Sequence, residues 1–302
     1  MKKSFISIVL EKLAFEFNIK RALTSEQNVN EHIKKAEKFN LEKYSLPIMM
    51  TKSTFTNYVV EGVQCFKITP KHIKSHKHIL YFHGGAYIDN PNLFHWVFLD
   101  KVATKLGVSI TVPIYPKLPH YTYKDCYEKC TVIYELLKAN YGDNNIILMG
   151  DSAGAGFCVG LTESLIEEGF SLPRKLVLIS PWVDVSMKTE ITKEKEDKDF
   201  MLSVYGLKVF GKMWAGKSST RNKRVSPIYG KLEGFPETLV VAGENEILID
   251  DINKFCDKLI SKGGKVSKYI KSEQGHVFPL YPLPESKSSI KKICEFISRR
   301  KV

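Results

Sequence analysis

The chain has 302 residues, 43% hydrophobic and 26% charged, enough for one large buried core and unlike the composition of a disordered polymer. No apolar stretch approaches the roughly 20 residues that cross a bilayer, which excludes a helical span. Net charge is +12, from 45 Lys and Arg against 33 Asp and Glu, yet the lysines are spread along the chain without a basic-aromatic motif, so no nucleic-acid partner is expected. The densest basic spots are Arg221-Asn222-Lys223-Arg224 and the "SRRKV" tail.

At the N-terminus, Met1-Lys2-Lys3 followed by Ser4 to Leu10 imitates the start of a signal peptide. Glu11 and Lys12 cut the apolar run short and no small-residue cleavage site follows, so an amphipathic helix in a cytoplasmic protein is expected. Phe5, Val9, Leu13 and Phe17 recur at helical spacing, and a second helix is predicted over "EHIKKAEKF" after Asn30. The period then changes. "STFTNYVV" and "VQCFKITP" flank Glu61-Gly62 and predict a hairpin. His72, His76 and His78, in "KHIKSHKH", lack nearby carboxylates or cysteines and read as a solvated basic loop rather than a metal site.

Next comes "HKHILYF", a buried-strand run ending in His83-Gly84-Gly85-Ala86. A helix near 93–106 leads to the strand "VSITVPIY", and a helix near 123–140 leads to "NIILMG". A further helix leads to "KLVLIS". From Ser186 to Val225 the chain is polar and lysine-rich, with helical patches such as "FMLSVYGLKVFGKMW" and no strand. Order resumes with the strand "ETLVVAG", a helix over 248–262, the strand "KVSKYI" and a last helix from about 285. This alternation predicts a mostly parallel sheet covered on both faces, interrupted by one insertion. The six cysteines, Cys65, Cys126, Cys130, Cys158, Cys256 and Cys294, show no metal spacing and read as reduced thiols, most of them within apolar patterns.

"NNIILMGDSAGAG", residues 144–156, admits two chemistries. Gly150, Gly154 and Gly156 have a spacing found in dinucleotide-binding turns, but that fingerprint belongs in the first βαβ unit, with an acidic residue ending the next strand. Here several strands precede it, and the next strand ends in Ile179-Ser180-Pro181-Trp182. Tyr134 and Lys138 form a Y-x-x-x-K, which lies before the glycines and reads as a surface pattern. The second chemistry is a nucleophile elbow, G-x-S-x-G, entered by a strand and left by a helix. Small flanking residues let strand and helix pass, and Ser152 sits at a helix N-terminus that favours developing negative charge.

A nucleophilic Ser152 needs a base, an orienting acid and oxyanion donors. Of eight histidines only His276, in "SEQGHVFP", lies downstream of the serine. The acid belongs after "ETLVVAG", where Glu244, Glu246, Asp250 and Asp251 stand; Glu246 is favoured because Asp250 and Asp251 open a helix and complement its dipole. Gly85 and Ala86 after the earlier strand, with Ala153 after the nucleophile, offer bare backbone N–H groups.

With "HGGA", "YPKLP", "GDSAGAG", "SPWVDV", "SPIYG", "GENEILIDD" and "GHVF" running from Tyr81 to Phe278, the chain resembles the hormone-sensitive-lipase-like, H-G-G-G branch of bacterial carboxylesterases. The resemblance implies an α/β-hydrolase fold, with a mostly parallel eight-stranded sheet, helices on both faces and a helical cap. It implies a cap segment at 1–50, a catalytic core of 51–185 and 226–302, and a cap insertion at 186–225. The implied activity is hydrolysis of a small-molecule, short- to medium-chain acyl ester without metal or cofactor. Ser152, His276 and Glu246 would form the triad, and Gly85, Ala86 and Ala153 the oxyanion hole. The chain departs from the family at Ala86, in place of a glycine, and at Glu246, in place of the usual Asp. Members of that family often dimerise through the sheet edge or the last helix, and the resemblance allows a homodimer here. An amidase or peptidase, an interfacial lipase touching membrane through Phe5, Ile6, Val9 and Leu10, and a non-catalytic receptor are the alternatives. Trp182, Trp214, Phe210 and Met213 are expected to line the acyl side.

Overall fold

The computed structural model describes Ser4 and residues 20–299; the amphipathic helix expected over residues 5–17 and the end of the basic tail lie outside the described residues. Eight strands form one sheet in the order β1-β2-β4-β3-β5-β6-β7-β8. They are β1 (Ser53–Val60), β2 (Val63–Pro70), β3 (His78–Phe82), β4 (Ser109–Pro113), β5 (Ile146–Asp151), β6 (Lys175–Ile179), β7 (Glu237–Gly243) and β8 (Val266–Lys271). The first two are antiparallel, β2 pairs antiparallel with β4, and the remaining pairings are parallel. The hairpin turns where expected, at Glu61 and Gly62, with φ of 47° and 77°. Both central residues are left-handed, the geometry that follows strand twist.

The helices are α1 (Glu26–Phe39), α2 (Leu93–Leu106), α3 (Tyr123–Tyr141), α4 (Ser152–Glu167), α5 (Lys193–Lys198), α6 (Val204–Ala215), α7 (Ile249–Ser261) and α8 (Pro284–Ser298). Helix α1 starts earlier than Asn30 because the Ser25 hydroxyl accepts from the Asn28 N–H at 3.3 Å and caps it. The central strands are buried on both faces, and the two-residue period sorts their side chains. Leu80, Phe82, Leu148, Leu178 and Val240 join a core with helices α3, α4 and α7; Ile79, Tyr81, Ile147, Val177 and Val241 join one with α2 and α8. Among the described residues no helix is long and apolar enough to cross a membrane. All six cysteines are buried and free.

Two sequence expectations are corrected here. His78 is not in a solvated loop. It opens β3 fully buried, its Nδ1 2.7 Å from Ser109 Oγ, its Nε2 2.9 Å from Thr111 Oγ1, and its ring stacked on Tyr141 at 4.0 Å. Burial, and secondarily Lys67, pushes its pKa down to about 3, so it stays neutral. Tyr134 is likewise interior, its hydroxyl donating to the Ser171 carbonyl at 2.8 Å, while Lys138 pairs with Glu135 at 2.6 Å. The basic spot at 221–224 is engaged as well: Arg224 pairs with Glu168 at 2.8 Å and Lys223 with Glu167.

The insertion holding α5 and α6 is closed at its base. Val185 N–H donates to Ser226 Oγ at 2.8 Å, and Tyr229 OH to Asp184 Oδ2 at 2.8 Å. Its far end reaches the core through Asp199, whose carboxylate accepts from Met201, Leu202 and Ile247 N–H groups, each at 2.9 Å. Lys20 donates to the Asp199 carbonyl at 2.8 Å and so joins the N-terminal segment to the insertion.

Candidate active site

Strand β5 runs straight into α4 through the elbow. Ser152 has φ of 51°, a left-handed conformation that a non-glycine residue holds only where its surroundings impose it. The glycines are required by contact. A Cβ on Gly154 would lie 2.1 Å from the Phe82 carbonyl oxygen, and one on Gly150 would lie 2.7 Å from the Gly154 backbone. Helix α4 therefore crosses β3 at backbone contact, and its N-terminal N–H groups point at the serine's surroundings.

The other two expected residues arrive from loops after β7 and β8. His276 Nε2 lies 2.9 Å from Ser152 Oγ, and its Nδ1 lies 2.7 Å from Glu246 Oε2. All three are buried, Glu246 completely. The second oxygen of Glu246 accepts from Ser180 Oγ at 2.9 Å and Gly243 N–H at 2.8 Å. The rival carboxylates are occupied elsewhere. Asp250 pairs with Lys195 at 2.5 Å, Asp251 accepts from Thr189, and Glu244 accepts from the Glu273 N–H at 3.4 Å. Burial works to lower the His276 pKa, but the Glu246 charge and hydrogen bond prevail and raise it above the ordinary value.

The glycine-rich loop lies against the elbow. Asp151, just before the serine, accepts from Tyr81 OH at 2.6 Å and Gly84 N–H at 2.8 Å, with His95 Nε2 3.3 Å from its other oxygen. Burial pushes the Asp151 carboxyl up, yet the His95 ring and these hydrogen bonds together hold it below the usual range. Gly84 has no room for a side chain, since a Cβ would meet Asp151 Oδ2 at 2.3 Å. Gly85 and Ala86 follow with φ of 111° and 50°, and their N–H groups have no hydrogen-bond acceptor among the described residues. Ala86 thus adopts the left-handed conformation that favours glycine, at a cost of roughly 1–2 kcal/mol. Sequence reading missed Asp151, Tyr81, His95 and Ser180. Only Asp151 and Ser180 carried a signal, standing inside "GDSAG" and "SPW".

A cavity of about 210 Å³ opens over the serine. Leu23, Met201, Leu202, Leu207, Phe210 and Leu280 are among its apolar lining residues; Asp89, Asn90 and Asn92, which follow the glycine-rich loop in the chain, also line it. Of the four residues expected on the acyl side, only Phe210 lines this cavity. Trp214 stacks on Tyr87 at 4.0 Å instead, and Trp182 donates to Met187 Sδ at 3.2 Å, because both indoles fill the core beneath the loop. Met213 packs, half-buried, against the same core.

A family model described as alpha/beta hydrolase fold matches residues 79–280, which takes in Ser152, Glu246 and His276. The chain belongs to the α/β-hydrolase family. An esterase of Acinetobacter venetianus is 28% identical over 222 residues, covering 72% of this chain and 73% of its own length. A triacylglycerol lipase of Mycobacterium tuberculosis is 30% identical over 190 residues, 63% of this chain but only 38% of the lipase. Among solved structures, a candidate esterase from Staphylococcus aureus superposes with a TM-score of 0.90 at 30% identity, covering 94% of this chain and 97% of that one. A hormone-sensitive lipase from a metagenome library reaches 0.84 at 26% identity, with full coverage of both chains.

Proposed function

We propose that this α/β-hydrolase cleaves carboxylic esters by acyl transfer to Ser152 and then to water. The observation that carries the reading is the continuous chain Ser152 Oγ, His276, Glu246, with contacts of 2.9 and 2.7 Å and both imidazole nitrogens engaged. His276 takes the Ser152 proton as the hydroxyl attacks the ester carbonyl, and returns it to the departing alcohol. Water repeats the sequence on the acyl-enzyme. Glu246 keeps the Nδ1–H tautomer and stabilises the imidazolium. The N–H groups of Gly85, Ala86 and Ala153 hold the tetrahedral oxyanion; losing one such donor typically costs about 10²–10³ in rate.

The esterase and lipase names of the similar proteins support the same chemistry. The small cavity supports a short- to medium-chain acyl group. In this reading residues 1–50 and 186–225 make the cap over a core of 51–185 and 226–302, since Leu23, Met201, Leu202, Leu207 and Phe210 supply much of the cavity wall. Ser152→Ala is expected to abolish both p-nitrophenyl acetate and butyrate hydrolysis and labelling by a fluorophosphonate. Undiminished turnover in that variant would rule the scheme out.

A further inference from the structure

The cavity's charge is opposite to that of the whole molecule. Among the described residues no lysine or arginine lines it, although the chain carries a net +12. Two aspartates do. Asp151 accepts from Tyr81 and Gly84, has His95 Nε2 at 3.3 Å, and is buried. Asp89 differs: His32 Nε2 donates to its Oδ1 at 2.8 Å, its Oδ2 has no partner among the described residues, and its side chain is 42% exposed. Three aromatic rings share the cavity, Phe94, Phe210 and Tyr281, with Phe94 against Tyr281 at 4.9 Å. A carboxylate oxygen without a partner among the described residues, in a cavity that aromatic rings also line, is an arrangement that can recognise an ammonium group.

From this we infer that the cavity selects esters bearing an ammonium group, with Asp89 as the specificity-determining residue. The inference rests on the ester-hydrolase reading above and names its substrate class. The surface lysines do not override it, because charges beyond about 8 Å are largely screened at physiological salt while a contact pair is not. His32 fixes the carboxylate and also meets Phe210, at 5.9 Å between rings, so one residue of α1 organises both halves of the feature. The Asp89 hydrogen bond raises the His32 pKa, against burial and against Lys35; buried Lys117 is another cation that senses Asp89. Assays therefore include a series of rising pH, since the imidazole beside Asp89 loses its charge in that direction.

The test compares kcat/KM for acetylcholine with its neutral isostere, in which carbon replaces nitrogen, and for the ethyl ester of trimethylammoniobutyrate with its own isostere. A preference of about ten-fold for the cationic member of at least one pair is expected, the size of a cation–π contact joined to a partly exposed ion pair. In Asp89→Asn the ratio falls toward one, and Asp89→Glu restores part of it; each ratio is internal to one protein, so general loss of activity cancels. A wild-type ratio at or below one in both pairs, with the neutral esters turned over, overturns the inference and leaves the esterase reading intact. If no ester is turned over, that reading fails, and calorimetry on Ser152→Ala still decides the inference. The cationic member of at least one pair must bind more tightly than its isostere, and must lose that advantage when Asp89→Asn is added.

Discussion

The Ser180 hydroxyl donates to Glu246 Oε1 at 2.9 Å while accepting the Val277 N–H at 3.0 Å. One short side chain at the end of β6 thus ties the acid's loop to the histidine's loop, and the extra methylene of glutamate is absorbed by folding back onto Gly243 N–H. Glu246→Gln would offer an amide to both His276 and Ser180 and favour the wrong imidazole tautomer. It is expected to lower kcat/KM on p-nitrophenyl acetate by about 10²–10⁴. Asp250→Asn breaks only a partly exposed pair with Lys195 and should change activity by no more than about two-fold. The reverse pattern would transfer the acid's role to Asp250.

The pH dependence follows from the raised His276 pKa. In the proposed mechanism His276 works unprotonated, so activity is expected above its pKa and is lost as pH falls through it. Since Glu246 lifts that value above the ordinary 6.5, the acid limb of kcat/KM is expected above pH 6.5. Removing the charge with Glu246→Gln should shift any residual acid limb downward. A limb below 6.5 in the wild type would contradict the buried pairing.

Gly154 offers a test of the elbow itself. Its Cβ would meet a backbone carbonyl at 2.1 Å, and backbone cannot swing aside as a flexible side chain can. Gly154→Ala is expected to cost about 3 kcal/mol or more and to abolish fluorophosphonate labelling by moving α4 off β3. The control is Gly169→Ala, with φ of +72° and nothing within 4 Å, where only the backbone cost of roughly 1–2 kcal/mol applies. Thermal melting, at about 2–4 °C per kcal/mol for a chain of this size, should separate the two. A Gly154→Ala protein melting no lower than the control would refute the contact.

Much of the fold was legible because its signals are local. Glu61-Gly62 marks the hairpin, and the apolar runs of β3, β5, β6 and β7 stand out from the helices between them. Ser152, His276 and the Gly85-Ala86 turn stand out in the sequence for the same reason, as a glycine-framed serine, a lone downstream histidine and a bare loop, and the fold brings Ser152 and His276 to 2.9 Å. His78 misled, because its neutral burial depends on Ser109 and Thr111, which reach it only through pairing of β3 with β4. Trp182 and Trp214 misled in the same way: an aromatic side chain near a site by sequence fills whichever void the packed loop leaves.

The order of residues determined the periodicities, the places where glycine is obligatory, and the small set of side chains able to act as nucleophile and base. Among the four carboxylates of one loop it favoured Glu246 only by position, since Asp250 and Asp251 open a helix. Tertiary structure gives each a different set of neighbours, His276 for Glu246, Lys195 for Asp250 and Thr189 for Asp251, because those neighbours come from segments far apart in the chain. The same applies to Asp89. Nothing beside it in the sequence marks it, and its meaning comes from a histidine on α1 and the aromatic rings gathered around the cavity.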